Sequence, residues 1–493
     1  MTDTAGTRTD LLSSALRWLL VVSVALVPLV FDPLDPVRTF LEAKRNAVWA
    51  VGALTAVLWG LRYVLDRRSS PRPEPGLVLP FLVLSAVLGI ATWQAPNPHV
   101  AFWGNLIRRE GLATILCYLI VAGVAAHELR AAPGFQRRFT AALLIGAAGN
   151  AIYALIQFAG LDPVWGYRGY LRPFAILGNA AFLAGYLAMV IPVAAASMLV
   201  AGGRLARMAA VFLIGSLFLG VLVTGSRAGW VASWLGVGLL AAVVLARHGA
   251  SRRWWAASVG GLMAALTLLY AAQVGPFART IDEQVLIRVA ADGTALRRVP
   301  GEIHPDARQP TQRLAMTLEH GGGVQVRLSL WRGAVRAWMR RPWLGQGLDS
   351  FRYFPNMSDP REARIYAGKT LPPLFSYDRA HNEFLEMAVA AGILGLAAYL
   401  WLLVALLAPA FRAAARGDLG AAGAAAGALA FLLVLQVQPG YQGSSFVFWA
   451  LLGFGAARAR GLAEQPPGNR NSRAPVGQAA SRYDVAVERA REG

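Results

Sequence analysis

The sequence predicts an all-α polytopic membrane protein, and three of its properties lead to that prediction. Hydrophobic residues make up 56% of the 493 residues and charged residues only 15%, whereas soluble domains have about 45–50% apolar and about 25% charged residues. The apolar residues form runs of roughly 20, the length that crosses a bilayer. The net charge of +20 comes mostly from arginines between these runs. This composition excludes an ordinary cytosolic domain and a basic nucleic-acid-binding domain, and the single cysteine, Cys117, excludes an internal disulfide.

Twelve apolar runs are candidate membrane-spanning helices. The first run follows an arginine, as the apolar part of a signal peptide would. However, Phe31-Asp32-Pro33 follows it in place of a small-residue cleavage site, so we expect a retained helix. The runs cover residues 15–31, 45–65, 76–93, 111–129, 140–159, 173–200, 208–225, 228–246, 255–272, 383–409, 419–437 and 443–457.

The arginines predict how these helices are oriented. Alternate connections are rich in arginine, and twelve spans place all of these connections on one side. The positive-inside rule makes that side cytoplasmic, so both termini are expected inside and the arginine-poor connections outside. The arginines concerned are Arg67, Arg68 and Arg72; Arg130, Arg137 and Arg138; Arg204 and Arg207; Arg247, Arg252 and Arg253; Arg412 and Arg416; and Arg458 and Arg460 after the last span.

One outer connection, of about 110 residues, is far longer than the others and predicts a functional segment. The chain is thus expected to have an N-terminal bundle of about nine spans (1–272), a large outer loop (273–382), three C-terminal spans (383–457) and a disordered tail (458–493). Within the loop, Asp292-Gly293 between 285–290 and 294–299 indicates a β-hairpin. Residues 311–318 and 324–328 suggest a second hairpin, and 329–340 an amphipathic helix.

Several ionisable residues are predicted at the outer ends of helices, where such groups tend to mark a substrate path. Arg172 opens the sixth span, Arg227 lies between two spans, His381 precedes the tenth span, and Arg108 and Arg109 lie in another outer connection. The guanidinium fork suits a phosphate or pyrophosphate, and a neutral imidazole can accept a proton from a sugar hydroxyl. Together these residues favour glycosyl transfer from a lipid-linked phosphate donor.

Each of these residues also has a purely structural interpretation. The glycines on both sides of Arg227 have the Gly-x-x-x-Gly spacing of close helix packing, with the arginine reaching the membrane interface. Arg172 could anchor its span at that interface, and His381 could be a solvated or capping residue. The arginine stripe of the amphipathic helix, which includes Arg332, is more simply a face for lipid headgroups.

Metal binding has little support in the sequence. The six histidines show no ligand spacing. Asp32 and Asp35 are the paired carboxylates that could hold a divalent cation, but each precedes a proline, so a turn is the simpler interpretation. We expect no metal and no other cofactor.

Four short motifs make the chain resemble the O-antigen ligase and polymerase superfamily of bacterial envelope glycosyltransferases. They occur in the order typical of that superfamily, with the long outer loop in the same place. One departure is that many relatives have Pro-Asn after Gly178-Asn179, where this chain has Ala180-Ala181. The motifs are 172–179 (RPFAILGN), 224–229 (TGSRAG), 331–334 (WRGA) leading to 341–347 (RPWLGQG), and 380–385 (AHNEFL).

The resemblance implies a GT-C-type membrane fold in the bacterial inner membrane and a metal-independent, inverting transfer at its periplasmic face. The donor would be a glycan on undecaprenyl pyrophosphate, and the surrounding lipids and a glycan or lipid A-core acceptor would be the other partners, without nucleic acid. Arg172 and Arg227 would hold the pyrophosphate, and His381 would activate the acceptor hydroxyl. Further substrate-binding candidates are Arg332, Arg109 and Asn179.

The acceptor remains open at this stage. A ligase that uses lipid A-core is the leading interpretation, a polymerase that extends a lipid-linked glycan is the second, and a protein O-glycosyltransferase is the third. A lipid-linked glycan flippase belongs to a different class and predicts charges within the spans and related halves. The spans here are almost free of such charges, and we find no repeat relating two halves.

Overall fold

The computed structural model describes residues 3–33, 40–65, 75–105, 108–130, 132–164, 172–248, 253–272, 288–289, 295–296, 322–351 and 379–463. Most of these residues, 83%, are helical. The helices are α1 (Asp3–Leu26), α2 (Leu41–Leu65), α3 (Pro75–Trp93), α4 (Pro98–Trp103), α5 (Leu112–Glu128), α6 (Pro133–Phe158), α7 (Ala180–Val200), α8 (Arg204–Val223), α9 (Arg227–His248), α10 (Arg253–Ala271), α11 (Gly322–Arg340), α12 (Glu383–Ala415), α13 (Leu419–Leu435) and α14 (Gln442–Ala463), with 3₁₀ turns at Val27–Leu29 and Ala175–Leu177.

Every one of the twelve predicted runs contains a helix, but fewer helices meet the length and hydropathy of a membrane span. Among the described residues, nine helices do so. Helices α5 and α13 are apolar but have only 17 residues each, which is about 26 Å at the α-helical rise and less than the ~30 Å hydrocarbon core. The chain is therefore a multi-pass membrane protein, and the number twelve stays a prediction.

Helix α7 lies at the centre of the bundle. Within the protein, 89% of its apolar window is buried, compared with 17% for α2 and for α10. It packs against α8, α9 and α13, and a Cβ on Gly427 of α13 would lie 2.2 Å from the Met189 carbonyl oxygen of α7. Small residues allow this close approach of two apolar helices, as is usual in membranes.

Ion pairs between helices gather at one end of the bundle, here called the basic end. Glu128 at the end of α5 pairs with Arg62 of α2 and with Arg17 of α1, whose Nε lies 3.5 Å from the carboxylate. Asp418, which precedes α13, pairs with Arg458 of α14 at 2.8 Å. The other set of alternate connections meets at the opposite end, here called the site end.

Helix α12 is interrupted at Gly392, which has φ 67° and ψ −166°. The segment after α11 fills the interruption with backbone hydrogen bonds. The Gln346 N–H donates to the Val389 carbonyl (2.7 Å), and the Ile393 N–H donates to the Pro342 carbonyl (2.8 Å). Because a membrane protein has to satisfy such groups internally, this segment and the interrupted helix form one unit.

Glycines make the pairing of these two segments possible. Gly345 and Gly347 have φ of 69° and 95°, which L side chains rarely adopt. A Cβ on Gly345 would lie 2.5 Å from the Ala390 carbonyl carbon, and a Cβ on Gly392 would lie 2.2 Å from the Trp343 carbonyl carbon. The Gly-Gln-Gly run of the third sequence motif is therefore a backbone requirement of the interrupted helix.

The outer loop differs in part from the expectation. Strands β1 (Arg288–Val289) and β2 (Ala295–Leu296) pair antiparallel on either side of Asp292-Gly293; the rest of that hairpin lies outside the described residues, so the full hairpin stays a prediction. The second hairpin is wrong, because 324–328 belong to α11, which begins at Gly322 rather than at 329. Val324, Leu328 and Val335 continue the helical spacing of the apolar stripe toward the N-terminus, and 311–318 are not described.

The last helix also extends beyond its expected end. Helix α14 continues to Ala463, so 458–463 are helical and not part of a disordered tail. The ion pair of Arg458 with Asp418 holds this extension against α13. Residues 464–493 lie outside the described part of the chain.

Replacing Gly392 by Ala is expected to destabilise the protein by about 2 kcal/mol or more, since a backbone with positive φ and extended ψ is essentially restricted to glycine and costs another residue about 1–3 kcal/mol, and the added Cβ meets the Trp343 backbone. Thermal unfolding of the detergent-solubilised protein measures the effect. Gly238→Ala in α9 is the matched control, because nothing lies within 4 Å of its Cβ position. Equal unfolding temperatures of the two variants would contradict the backbone requirement.

Candidate active site

The connection between α13 and α14, residues 436–441, joins two of the predicted site segments. The Gln438 Nε2 donates to the Ser226 Oγ (3.0 Å), next to Arg227. The Gln436 carbonyl accepts from the Asn382 Nδ2 (3.3 Å), next to His381. Residues that are more than 150 positions apart in the chain, at 226 and 382, thus share one support, which we call the 436–441 loop.

Arg172 is tied to the same turn that presents Arg227. The Arg172 Nε donates to the Thr224 carbonyl (2.9 Å), and the Thr224 Oγ1 accepts from the Ser226 N–H (3.1 Å). Gly225 has φ 64°, which lets the chain reverse between α8 and α9. Arg227 is the first residue of α9 and is exposed. The structure therefore brings Arg172 and the Arg227 turn together, and their role in binding a substrate stays a prediction.

The packing interpretation of this motif also holds for one of its glycines. A Cβ on Gly229 would lie 2.7 Å from the Ala184 Cβ of α7, so Gly229 serves close packing of α9 on the central helix. Gly225 differs, because it lies in the turn and not in a helix interface. The motif thus combines a packing position with a turn that points Arg227 outward.

A buried ion network lies immediately before His381. The Arg379 Nη2 contacts the Glu110 Oε2 at 3.0 Å and the Asp349 Oδ1 at 3.3 Å. Asp349 also accepts from the Asn105 N–H (2.6 Å) and the Asn105 Nδ2 (2.8 Å), and the Tyr118 hydroxyl donates to Glu110 (3.1 Å). The network ties the connection before α5, the segment after α11 and the His381 segment to one another.

The charge of Arg379 is permanent. Burial alone would lower the pKa of its guanidinium, but the carboxylates of Glu110 and Asp349 act against that and raise the pKa above its ordinary value. On the following residue, the Ala380 N–H donates to the Glu386 carboxylate (2.8 Å) at the start of α12. The backbone that leads to His381 is therefore held from two sides.

Backbone strain is concentrated in the same connections. In the described part of the chain, four non-glycine residues have positive φ: Arg109 (56°), Ala175 (47°), Asp349 (55°) and His381 (55°). All four lie in connections at the site end. Such conformations cost about 1–3 kcal/mol each and persist where surrounding contacts fix them, which is typical of functional sites.

Arg108 and Arg109 have different surroundings. The Arg108 Nη1 donates to the Gly440 carbonyl (3.2 Å), and its guanidinium carbon lies 5.3 Å from the centre of the Phe182 ring. The Arg109 carbonyl accepts from the Thr114 hydroxyl (2.8 Å). The Arg109 Nε is buried without a hydrogen-bond partner among the described residues. Arg108 thus supports the 436–441 loop, whereas Arg109 lies beside the Glu110 network.

The remaining two candidates lie at the edge of this arrangement. Arg332 is an exposed residue of α11, and that helix reaches the 436–441 loop through Arg327, whose Nε donates to the Val437 carbonyl (2.8 Å). Asn179 is the N-cap of α7, since its Oδ1 accepts from the Ala181 N–H (2.8 Å). A capping role accounts for Asn179 without substrate, and alanines are compatible with the positions that follow it.

Sequence reasoning missed three parts of this end of the molecule: Arg379 with its carboxylates, the 436–441 loop, and Lys44. Lys44 is fully buried, and its Nζ donates to the Val30 carbonyl (2.5 Å) and the Ile176 carbonyl (2.6 Å), which joins two connections. A signal was available for Lys44, because it is one of two lysines in an arginine-rich chain and opens an apolar run.

The possible cation site near Asp32 is only partly visible, because Asp35 lies outside the described residues. Within the described ranges, no group of three or more histidine, cysteine, aspartate or glutamate side chains is arranged so that it could hold a metal ion. The expectation of a metal-independent site stays a prediction.

Residues 209–400 match a family model described as O-antigen ligase. The matched segment begins in α8 and ends in α12, and it contains the motifs at 224–229, 331–347 and 380–385, while 172–179 precedes it. A comparison with curated proteins found no match. The family match confirms the resemblance to the O-antigen ligase superfamily and supports a membrane glycosyltransferase of the ligase or polymerase type.

Replacing Arg379 by Met is expected to destabilise the protein by about 3–5 kcal/mol, because it leaves the Glu110 and Asp349 carboxylates buried without their cation. The apparent melting temperature in detergent reports the change. Arg341→Met is the matched control, since Arg341 is exposed and its side chain donates only to the Gln94 carbonyl among the described residues. If both variants melt alike, the network does not hold the site end together.

Proposed function

From the O-antigen ligase match over 209–400, we propose that this protein is an O-antigen ligase that transfers a glycan from undecaprenyl pyrophosphate to a sugar hydroxyl of lipid A-core. The observation that supports it best is the chain of hydrogen bonds that connects Arg172, the Arg227 turn, the 436–441 loop and the Asn382–His381 segment. These hydrogen bonds support the proposal because they connect the segments that carry two arginines and one histidine to a single loop.

The two arginines are suited to the leaving group. A departing pyrophosphate carries developing negative charge, which preorganised cations in a partly dehydrated site stabilise. Arg172 uses its Nε on the Thr224 carbonyl, and the two Nη groups of the same fork are the ones proposed for the phosphate oxygens. Arg227 stands at the N-terminus of α9, where the helix dipole adds to the positive potential.

His381 is proposed as the general base. Its imidazole accepts the proton of the acceptor hydroxyl while the hydroxyl oxygen attacks the anomeric carbon and the bond from that carbon to the pyrophosphate oxygen breaks. The attack comes from the side opposite the leaving group, so the configuration inverts. Arg379 and Glu386 fix the backbone before the imidazole, which makes them positioning residues.

The protein is proposed to lie in the bacterial inner membrane. The active site then faces the periplasm, and both termini lie in the cytoplasm. The support for this orientation is the distribution of charge. Arg17, Arg62 and Arg458 lie at the basic end, and arginine-rich ends of membrane bundles stay on the cytoplasmic side. In this proposed orientation, the long outer loop and the site end both lie on the periplasmic face.

The His381→Ala variant is expected to lose about 10²- to 10⁴-fold in transfer rate, because general-base assistance contributes that much. Arg172→Ala and Arg227→Ala are each expected to lose about 10²- to 10³-fold, the range for a preorganised charge-stabilising donor. The purified variants are assayed with a lipid-linked glycan and lipid A-core. His99→Ala, an exposed histidine of α4, is the control and should transfer at the wild-type rate. Full activity of His381→Ala would exclude the proposed base.

Reconstitution with alternative acceptors separates ligase from polymerase. We expect transfer to lipid A-core and no growth of a lipid-linked glycan, at the same rate with and without a chelator. In cells, deletion should leave long chains on the carrier lipid and none on lipid A-core. A single repeat on the core after deletion would indicate a polymerase, and loss of activity with the chelator would contradict the metal-independent step.

A further inference from the structure

A groove of about 780 Å³ runs between α8 and α10, away from the candidate active site. Its walls are mainly apolar, with Met208, Phe212 and Leu219 on one side and Leu262 and Leu266 on the other. Phe212 is 77% exposed and Met208 58% exposed, so the groove opens outward from the bundle. In a membrane this opening faces lipid and not water.

Positive charge is placed at one end of the groove only. Arg204 and Arg207 line that end, and their spacing of three residues puts them on one face of α8. The Arg207 guanidinium carbon lies 5.8 Å from the ring centre of Trp254, which is 41% exposed. In the part of the chain that the structure describes, no carboxylate pairs with either arginine. Arginine beside tryptophan is typical of the headgroup level of a membrane.

The length of the apolar part fits one leaflet. From Met208 to Leu219 the helix rises about 16 Å, and half of the ~30 Å hydrocarbon core is about 15 Å. An acyl chain of a phospholipid reaches this depth when its phosphate lies at the interface. A polyprenyl chain is much longer than one leaflet and does not match a groove that ends near Leu219.

We infer that the groove between α8 and α10 is a binding site for an anionic phospholipid of the leaflet at the basic end. One acyl chain lies against Phe212, Leu219 and Leu262, and the phosphate is held by Arg204 and Arg207. The lipid fills the space between α10 and the rest of the bundle. The site is separate from His381 and does not depend on the proposed transferase reaction.

Native mass spectrometry of the full chain tests the site, after reconstitution in vesicles with equal amounts of phosphatidylethanolamine and phosphatidylglycerol and extraction into detergent. The wild type is expected to retain phosphatidylglycerol. The Arg204→Gln/Arg207→Gln variant should hold it about 30-fold more weakly, since each arginine near a membrane surface contributes about a factor of five. The matched control is Arg412→Gln/Arg416→Gln, which removes two exposed arginines of the same end outside the groove and should retain the lipid.

A second variant tests the acyl-chain part with both arginines present. The Cβ position of Gly215 lies 3.4 Å from the Leu262 Cδ2, so Gly215→Leu places its side chain in the groove and should expel the lipid. His381→Ala should retain the lipid, which separates this site from the transferase proposal. The assignment is overturned if the groove variants retain phosphatidylglycerol, if the control pair loses it equally, if phosphatidylethanolamine is retained as well, or if undecaprenyl phosphate displaces the bound lipid.

Discussion

A charged carboxylate is costly to bury in an apolar bundle unless it is paired, and Arg379 is the paired cation for Glu110 and Asp349. The rest of the site end depends on this ion network, because Arg379, Glu110 and Asp349 come from three different connections of the chain. Once Arg379 is fixed, the next residues have little freedom: Ala380 bonds to Glu386, and His381 takes a left-handed backbone. Electrostatics therefore sets where the imidazole stands before any substrate arrives.

The interrupted helix α12 also holds these segments in place. Its first turns bond to Ala380 and Asn382, and its break at Gly392 is filled by the segment that also carries Asp349. The ion network and the backbone pairing thus act on the same two segments from opposite sides. Because lipid offers no hydrogen bonds to a broken helix, neither segment can move away without leaving polar groups unsatisfied.

The sequence was sufficient for features that depend on local composition. Apolar runs located the helices, and the alternation of connections placed Arg172, Arg227 and His381 at one end. Contacts between distant residues left no local signal: the partners of Arg379, the 436–441 loop and the break at Gly392 arise only when helices are packed. One wrong element, the hairpin ending at 324–328, was too short for its apolar spacing to separate strand from helix.

The 436–441 loop limits how the donor and acceptor preferences of the proposed enzyme can evolve. In the proposed reaction, the arginines that hold the donor come from 172–227 and the histidine that meets the acceptor from 381, yet both rest on one six-residue connection through Gln438 and Gln436. Donor and acceptor preference therefore cannot be exchanged as independent modules. A hybrid that joins the first half of one relative to the second half of another inherits this loop from the acceptor side, and it has to fit a foreign Ser226 turn before either preference can be expressed.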